Sequence, residues 1–86
     1  MTIGRVVGNV WATRKADSLL GVKFLVIHPV DITSGKTYSI PIVAADTIGA
    51  GMGETVIIVH GSSARKAAGN MDVAVDATVV GIVDDK

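Results

Sequence analysis

Between Asp46 and Arg65 the chain reads Asp-Thr-Ile-Gly-Ala-Gly-Met-Gly-Glu-Thr-Val-Ile-Ile-Val-His-Gly-Ser-Ser-Ala-Arg, a run that constrains the fold more than any other. Gly49, Gly51 and Gly53 alternate with Ala50 and Met52, so the backbone there is free to take positive φ or to pass close to another chain. Thr55 to Val59 is too short and too β-branched to favour a helix, and it reads as a buried strand. Gly61 ends that strand, and Ser62 or Ser63 is placed to cap a short helix running through Arg65 and Lys66. A phosphate loop needs Lys and then Ser or Thr directly after its glycines. Met52, Gly53 and Glu54 stand here instead, and the glutamate repels phosphate. The segment reads as a device for packing and assembly.

The rest of the chain supplies four more strands. Ile3–Thr13 forms the first, with Ile3, Arg5, Val7, Asn9, Trp11 and Thr13 on one face and Gly4, Val6, Gly8, Val10 and Ala12 on the other. Neither face is cleanly polar, so both are expected to be covered. Gly4 and Gly8 suit tight curvature or close approach of a neighbour. Ala16–Gly21 is a turn, and Val22–Ile27 is a second strand with Pro29 near its end. Asp31–Lys36 carries a hairpin-turn signal in its Asp, Thr, Ser and Gly. Thr37–Ala44 is expected as the third strand, with Tyr38, Ile40 and Ile42 on one face and Pro41 marking an edge. Thr55–His60 is the fourth.

Ser62–Ala68 is a two-turn helix closed by Gly69-Asn70, too short to stand alone and therefore docked. After an Asn70–Val75 loop, Asp76–Val83 is the last strand, and Asp84, Asp85 and Lys86 form a solvated tail. Residues 1–86 make one domain. Five short strands with one helix between the fourth and fifth fit a small closed or nearly closed β-barrel, since closure removes exposed strand edges.

Composition sharpens this. A chain of 86 residues hides only roughly 60–65% of the surface its unfolded form exposes, so a lone copy is marginal. With no cysteine there is no disulfide staple and no thiolate metal site. Yet 49% of the residues are hydrophobic. Copies of itself are the natural cover for that excess. Eight basic and eight acidic residues cancel, which argues against strong sequence-independent binding to nucleic acid. The amino terminus is read as neither signal peptide nor membrane span, and a cytosolic setting follows by default.

Side chains that carry chemistry are scattered. His28 and His60 lack partners at ligand spacing and are placed at strand ends near the surface. Asp72, Asp76, Asp84 and Asp85 lack the alternation of a calcium loop. Ser62 and Ser63 have no base, so capping explains them better than catalysis. Trp11, Phe24 and Tyr38 are the only aromatics and are expected to be partly buried, a poor stacking platform for single-stranded nucleic acid. Arg14-Lys15 is the one basic pair suited to face a neighbouring protein. No cofactor is expected.

In order along the chain, Gly4-Arg5-Val6-Val7-Gly8-Asn9-Val10-Trp11-Ala12-Thr13-Arg14-Lys15, Leu20-Gly21-Val22-Lys23-Phe24-Leu25, Ala44-Ala45-Asp46 leading into Gly49-Ala50-Gly51-Met52-Gly53-Glu54, Gly61-Ser62-Ser63-Ala64-Arg65, and Val75-Asp76-Ala77-Thr78-Val79-Val80-Gly81-Ile82-Val83-Asp84 resemble the EutN/CcmL family. The resemblance implies an OB-like five-stranded barrel assembled as a cyclic homopentamer. It further implies a non-enzymatic tile at the fivefold vertices of a bacterial microcompartment shell in the cytoplasm, beside hexameric shell proteins. Gly49, Ala50, Gly51, Met52, Gly53, Glu54, Ser62, Ser63 and Arg65 are the candidates for subunit-interface or pore contacts. The rival reading is an OB-type single-stranded nucleic-acid binder; a small-ligand carrier or enzyme subunit would need a pocket with convergent polar groups, which the sequence does not offer.

Overall fold

The computed structural model describes residues 1–84; Asp85 and Lys86, read as part of the solvated tail, lie outside the described residues. Strands β1 (Thr2–Val10), β2 (Lys23–Pro29), β3 (Ile42–Asp46) and β4 (Thr55–His60) precede helix α1 (Gly61–Ala68) and strand β5 (Ala77–Ile82). They close into a barrel in the order β1-β2-β3-β5-β4, with a single 3-10 turn at Asp17–Leu19 between β1 and β2. Every neighbouring pair is antiparallel except β3 and β5, which run parallel. That parallel seam is also the shortest: only Ala45 opposite Thr78 and Asp46 opposite Val79 are in register.

Two apolar clusters organise the molecule. Inside the barrel, Val6, Leu25, Ile27, Ala44, Ala50, Val56, Ile58, Ala77 and Val79 are all at most 4% exposed. Outside it, Ala45, Val73 and Val75 pack with Leu19, Val22, Phe24 and Ala68. The 70–76 segment thus lies over the outer face of β2 and β3, and the Ser18 hydroxyl accepts the Ala74 N–H at 3.2 Å. Helix α1 docks through Ala64, which is fully buried, and Thr78 Oγ1 donates to its carbonyl at 2.8 Å. The helix is tied to β5 by the one polar side chain of that strand's buried stretch.

β1 behaves as two strands in phase opposition. Its register against β2 passes from Val6 opposite Ile27 to Gly8 opposite Val26, leaving Val7 as a bulge. A bulge adds one residue and reverses the side-chain alternation beyond it. Gly4 and Val6 share the inward parity, whereas Gly8 pairs with Val26 and Val10 with Phe24 on the outer face. The expected uniform faces of Ile3–Thr13 therefore break at Val7, and Gly4 and Gly8 do not share one. Gly4 does meet a close neighbour: a Cβ there would strike the Ile27 side chain and sit 3.2 Å from the His28 carbonyl oxygen.

Three boundaries carry corrections: β1 ends at Val10 and not at Thr13, the start of β3 moves, and the helix start changes which residue caps it. β3 begins at Ile42, not at Thr37; only a lone bridge, Val30 to Thr37, marks the predicted start. Ser39 takes φ 59° and Pro41 has no N–H, so Tyr38, Ile40 and Ile42 cannot line one strand face. The helix begins at Gly61, with φ 60°, and His60 occupies the N-cap without a side-chain cap bond. Ser62 and Ser63 sit inside the first turn and do not cap it.

Candidate functional site

The glycine loop is built by a residue the sequence reading passed over. The Asp46 carboxylate is enclosed, with its side chain 0% exposed. Its Oδ1 accepts the N–H groups of Ile48 at 3.0 Å and Gly49 at 3.1 Å, and Oδ2 accepts that of Ala50 at 3.0 Å. Lys23, its ladder partner on β2, brings an ammonium to 3.8 Å. Hydrogen bonds that involve a charged group are stronger than neutral ones, so this one carboxylate fixes three consecutive residues. Farther along, the Glu54 carboxylate accepts the Gly51 N–H at 2.6 Å.

Main-chain bonds then fasten the loop to β1. Gly53 donates to the Val6 carbonyl and Val6 donates to that of Glu54, each at 2.9 Å. Ala50 turns inward and joins the barrel cluster, closing that end of the core. Gly49 and Gly53 take φ 94° and 83°, the region where only glycine is comfortable. Gly51 does not, contrary to the reading of all three as one hinge; a Cβ there would instead sit 3.3 Å from Glu54 Oε1. Met52, at 62% exposure, is the apolar tip.

This geometry disposes of phosphate binding in chemical terms. An anion-binding loop must point unused N–H groups at its ligand. Here the N–H groups of Ile48, Gly49, Ala50 and Gly51 already serve two carboxylates of the chain itself.

The candidate residues fall into two groups. Gly49, Ala50, Gly51, Met52, Gly53 and Glu54 precede β4, whereas Ser62, Ser63 and Arg65 follow it. The six residues of β4 hold the groups roughly 20 Å apart at about 3.3 Å per residue. Ser62 and Ser63 are exposed and Arg65 is half-buried. One copy does not assemble these nine residues into a single surface.

Elsewhere, His60 Nε2 lies 2.8 Å from Thr2 Oγ1, and His28 Nε2 lies 3.1 Å from the Ser39 carbonyl oxygen, both near strand ends as expected. Among the described residues no group of three or more His, Cys, Asp or Glu is placed to hold a metal ion, and no helix is long and apolar enough to cross a membrane. The aromatics depart from expectation: Trp11 is 93% exposed and Tyr38 is 51% exposed, while only Phe24 is partly buried. Trp11 and Tyr38 occupy loops at opposite ends of β2, so they do not form one stacking platform. Leu20, Ile32, Ile40, Ile48 and Met52 are likewise exposed.

Comparison with known proteins gives one consistent answer. The family described as ethanolamine utilisation protein EutN/carboxysome matches residues 1–84. The carboxysome shell vertex protein CcmL of Synechocystis sp. is 44% identical over 84 residues, covering 98% of this chain and 83% of the relative. A solved ethanolamine utilization protein EutN superposes with a TM-score of 0.94 at 38% identity, covering 100% of this chain and 88% of the other. The GrpN pentameric microcompartment shell protein from Rhodospirillum rubrum superposes with a TM-score of 0.88 at 42% identity, covering 99% and 96%.

Proposed function

Because the chain belongs to the EutN/CcmL family, we propose that it is a structural shell protein: a homopentamer that occupies the fivefold vertices of a bacterial microcompartment. A flat hexagonal layer does not close on itself, and fivefold units supply the missing curvature. The tile performs no catalysis in this reading and meets hexameric shell proteins at its rim. The observation that carries it is the family match along the whole described chain, joined to apolar side chains such as Trp11, Ile32, Ile40 and Met52 standing in solvent on a single copy.

A ring uses one head-to-tail contact repeated until rotation closes it. Permanent contacts of this kind bury on the order of 2,000 Å² or more in total and are rich in apolar surface. The Gly49–Glu54 loop, rigid and tipped by Met52, is our candidate for lining the region near the fivefold axis. Ser62, Ser63 and Arg65 at the far end of β4 are candidates for contacts with adjoining tiles. The nucleic-acid reading is disfavoured by zero net charge and by aromatics at opposite ends of β2.

Native mass spectrometry tests the ring: five copies at micromolar concentration are expected, with fivefold particles in electron micrographs. A folded chain that stays monomeric overturns the proposal.

A further inference from the structure

Two surfaces on opposite flanks of the barrel are left incomplete by the fold. The first is the arm of β1 beyond its bulge. β4 pairs with β1 only at Thr2, Ile3, Gly4 and Arg5, so Gly8, Asn9 and Val10 pair with β2 on one side and with no strand on the other. Trp11 follows directly, 93% exposed, with Arg14 and Lys15 just beyond. An indole so exposed, in the loop that directly follows an unpaired strand edge, is an uncovered surface.

The second is the seam between β3 and β5. Because those strands share only two registered positions, the sheet opens beyond them into a hollow of about 160 Å³. Val43, Ala45, Ala74, Val75 and Ala77 line it, with Asp76 beside them. Asp72 precedes on the same segment and is exposed. In the barrel order β1-β2-β3-β5-β4, this seam lies directly across from β1. A head-to-tail ring needs two unlike surfaces on different flanks of each copy, and the fold leaves such a pair.

We propose that Trp11 of one copy seats in the β3–β5 hollow of the next, making this the anchoring contact of the ring. The occupant is a second copy of this chain, so the contact rests on the pentameric reading above. Charge supports the pairing. Arg14 and Lys15 follow the projecting indole in the chain, while Asp76 lines the hollow and Asp72 precedes it on the same segment. Among the described residues the one ion pair within a copy is Lys23 with Asp46, so none of these four charges is engaged inside a copy. A buried tryptophan removes roughly 150–250 Å² of its own surface from water, and such anchors dominate interface energetics.

The composition makes the test clean. Trp11 is the only tryptophan and there is no cysteine. Ala12 and Ala74 are both exposed, so the double substitution Ala12→Cys with Ala74→Cys spares the core. Oxidation is expected to give a ladder of disulfide-linked species ending at five copies on a denaturing gel. Indole emission is expected to shift to the blue on ring formation and back on dilution. Trp11→Ser should weaken assembly by at least roughly tenfold while leaving the circular dichroism of the barrel unchanged. A ring whose indole emits as in water, or whose paired cysteines stay reduced under oxidation, overturns this contact and leaves the pentamer standing. A wild-type chain that never assembles overturns both.

Discussion

The backbone N–H of Ala50 donates to Asp46 Oδ2 at 3.0 Å while the Ala50 methyl closes one end of the barrel core, at 1% exposure. One bond therefore couples the polar architecture of the glycine loop to the apolar interior. The loop is as rigid as the carboxylate that holds it.

Replacing that carboxylate is the most direct probe. Asp46→Asn keeps an acceptor for some of the three N–H groups but turns a donor toward others, and it loses the Lys23 charge partner. A destabilisation of about 1–3 kcal/mol is expected, as for buried groups left without partners. Chemical denaturation reads it. An unchanged midpoint would mean that the loop holds its shape without the anion.

The glycines separate by mechanism. Gly4→Ala forces a methyl into the Ile27 side chain and the His28 carbonyl, and overpacking of this kind costs about 1–3 kcal/mol. Gly8→Ala meets only Val26 at 3.6 Å, an ordinary contact, and should be near neutral. Equal thermal stability of the two variants would contradict the bulge, which puts these residues in different environments.

At Gly49 and Gly53 the limit is the backbone alone, because a Cβ would meet nothing within 4 Å. Alanine at either position is expected to cost about 1–2 kcal/mol through left-handed strain. Gly51→Ala has no such strain to bear and should lose less. The order of the three in a thermal melt checks the assignment.

Thr78→Val removes the hydroxyl that bonds the Ala64 carbonyl in a fully buried site. The shape is retained, so the expected loss is about 1 kcal/mol, near the net worth of one hydrogen bond. Hydrogen exchange should locate that loss in α1 and its junction with β5. Uniform loosening of the barrel would argue against a docking role for this bond.

Asp31 titrates below its ordinary value of 3.8, chiefly because the Thr33 hydroxyl donates to it at 2.6 Å, and then because the N–H groups of Thr33 and Ser34 do so. A carboxylate whose pKa falls on folding contributes stability above its unfolded pKa and loses it as pH drops through the folded value. The contribution therefore disappears in acid below 3.8. Thr33→Val should move the Asp31 titration upward, as followed by carboxyl NMR shifts; an unmoved titration would exclude the hydroxyl as the main cause.

How much of this was legible depends on whether the signal was local. β4 reads correctly at both ends because a β-branched run lies between Gly53-Glu54 and Gly61. The barrel, its single helix and the order of elements followed from similar punctuation. β3 misled because Tyr38, Ile40 and Ile42 mimic strand alternation, while the positive φ of Ser39 that breaks it has no sequence signature. The Val7 bulge left no trace either, since neither face of β1 is cleanly polar and a change of alternation does not show. The role of Asp46 had a visible cue, an acid placed just before a glycine-rich turn, where Asp side chains commonly bond the backbone two residues on. The exposure of Trp11 did not, because tryptophan composition alone does not say what a single copy leaves uncovered.

The two-rung junction of β3 and β5 has a consequence for how the molecule comes together. The cylinder closes within one copy, yet two rungs make this line the most lightly bonded part of its wall. In the proposed ring a neighbour laid against that line would brace it, so assembly would stiffen each member as it joins.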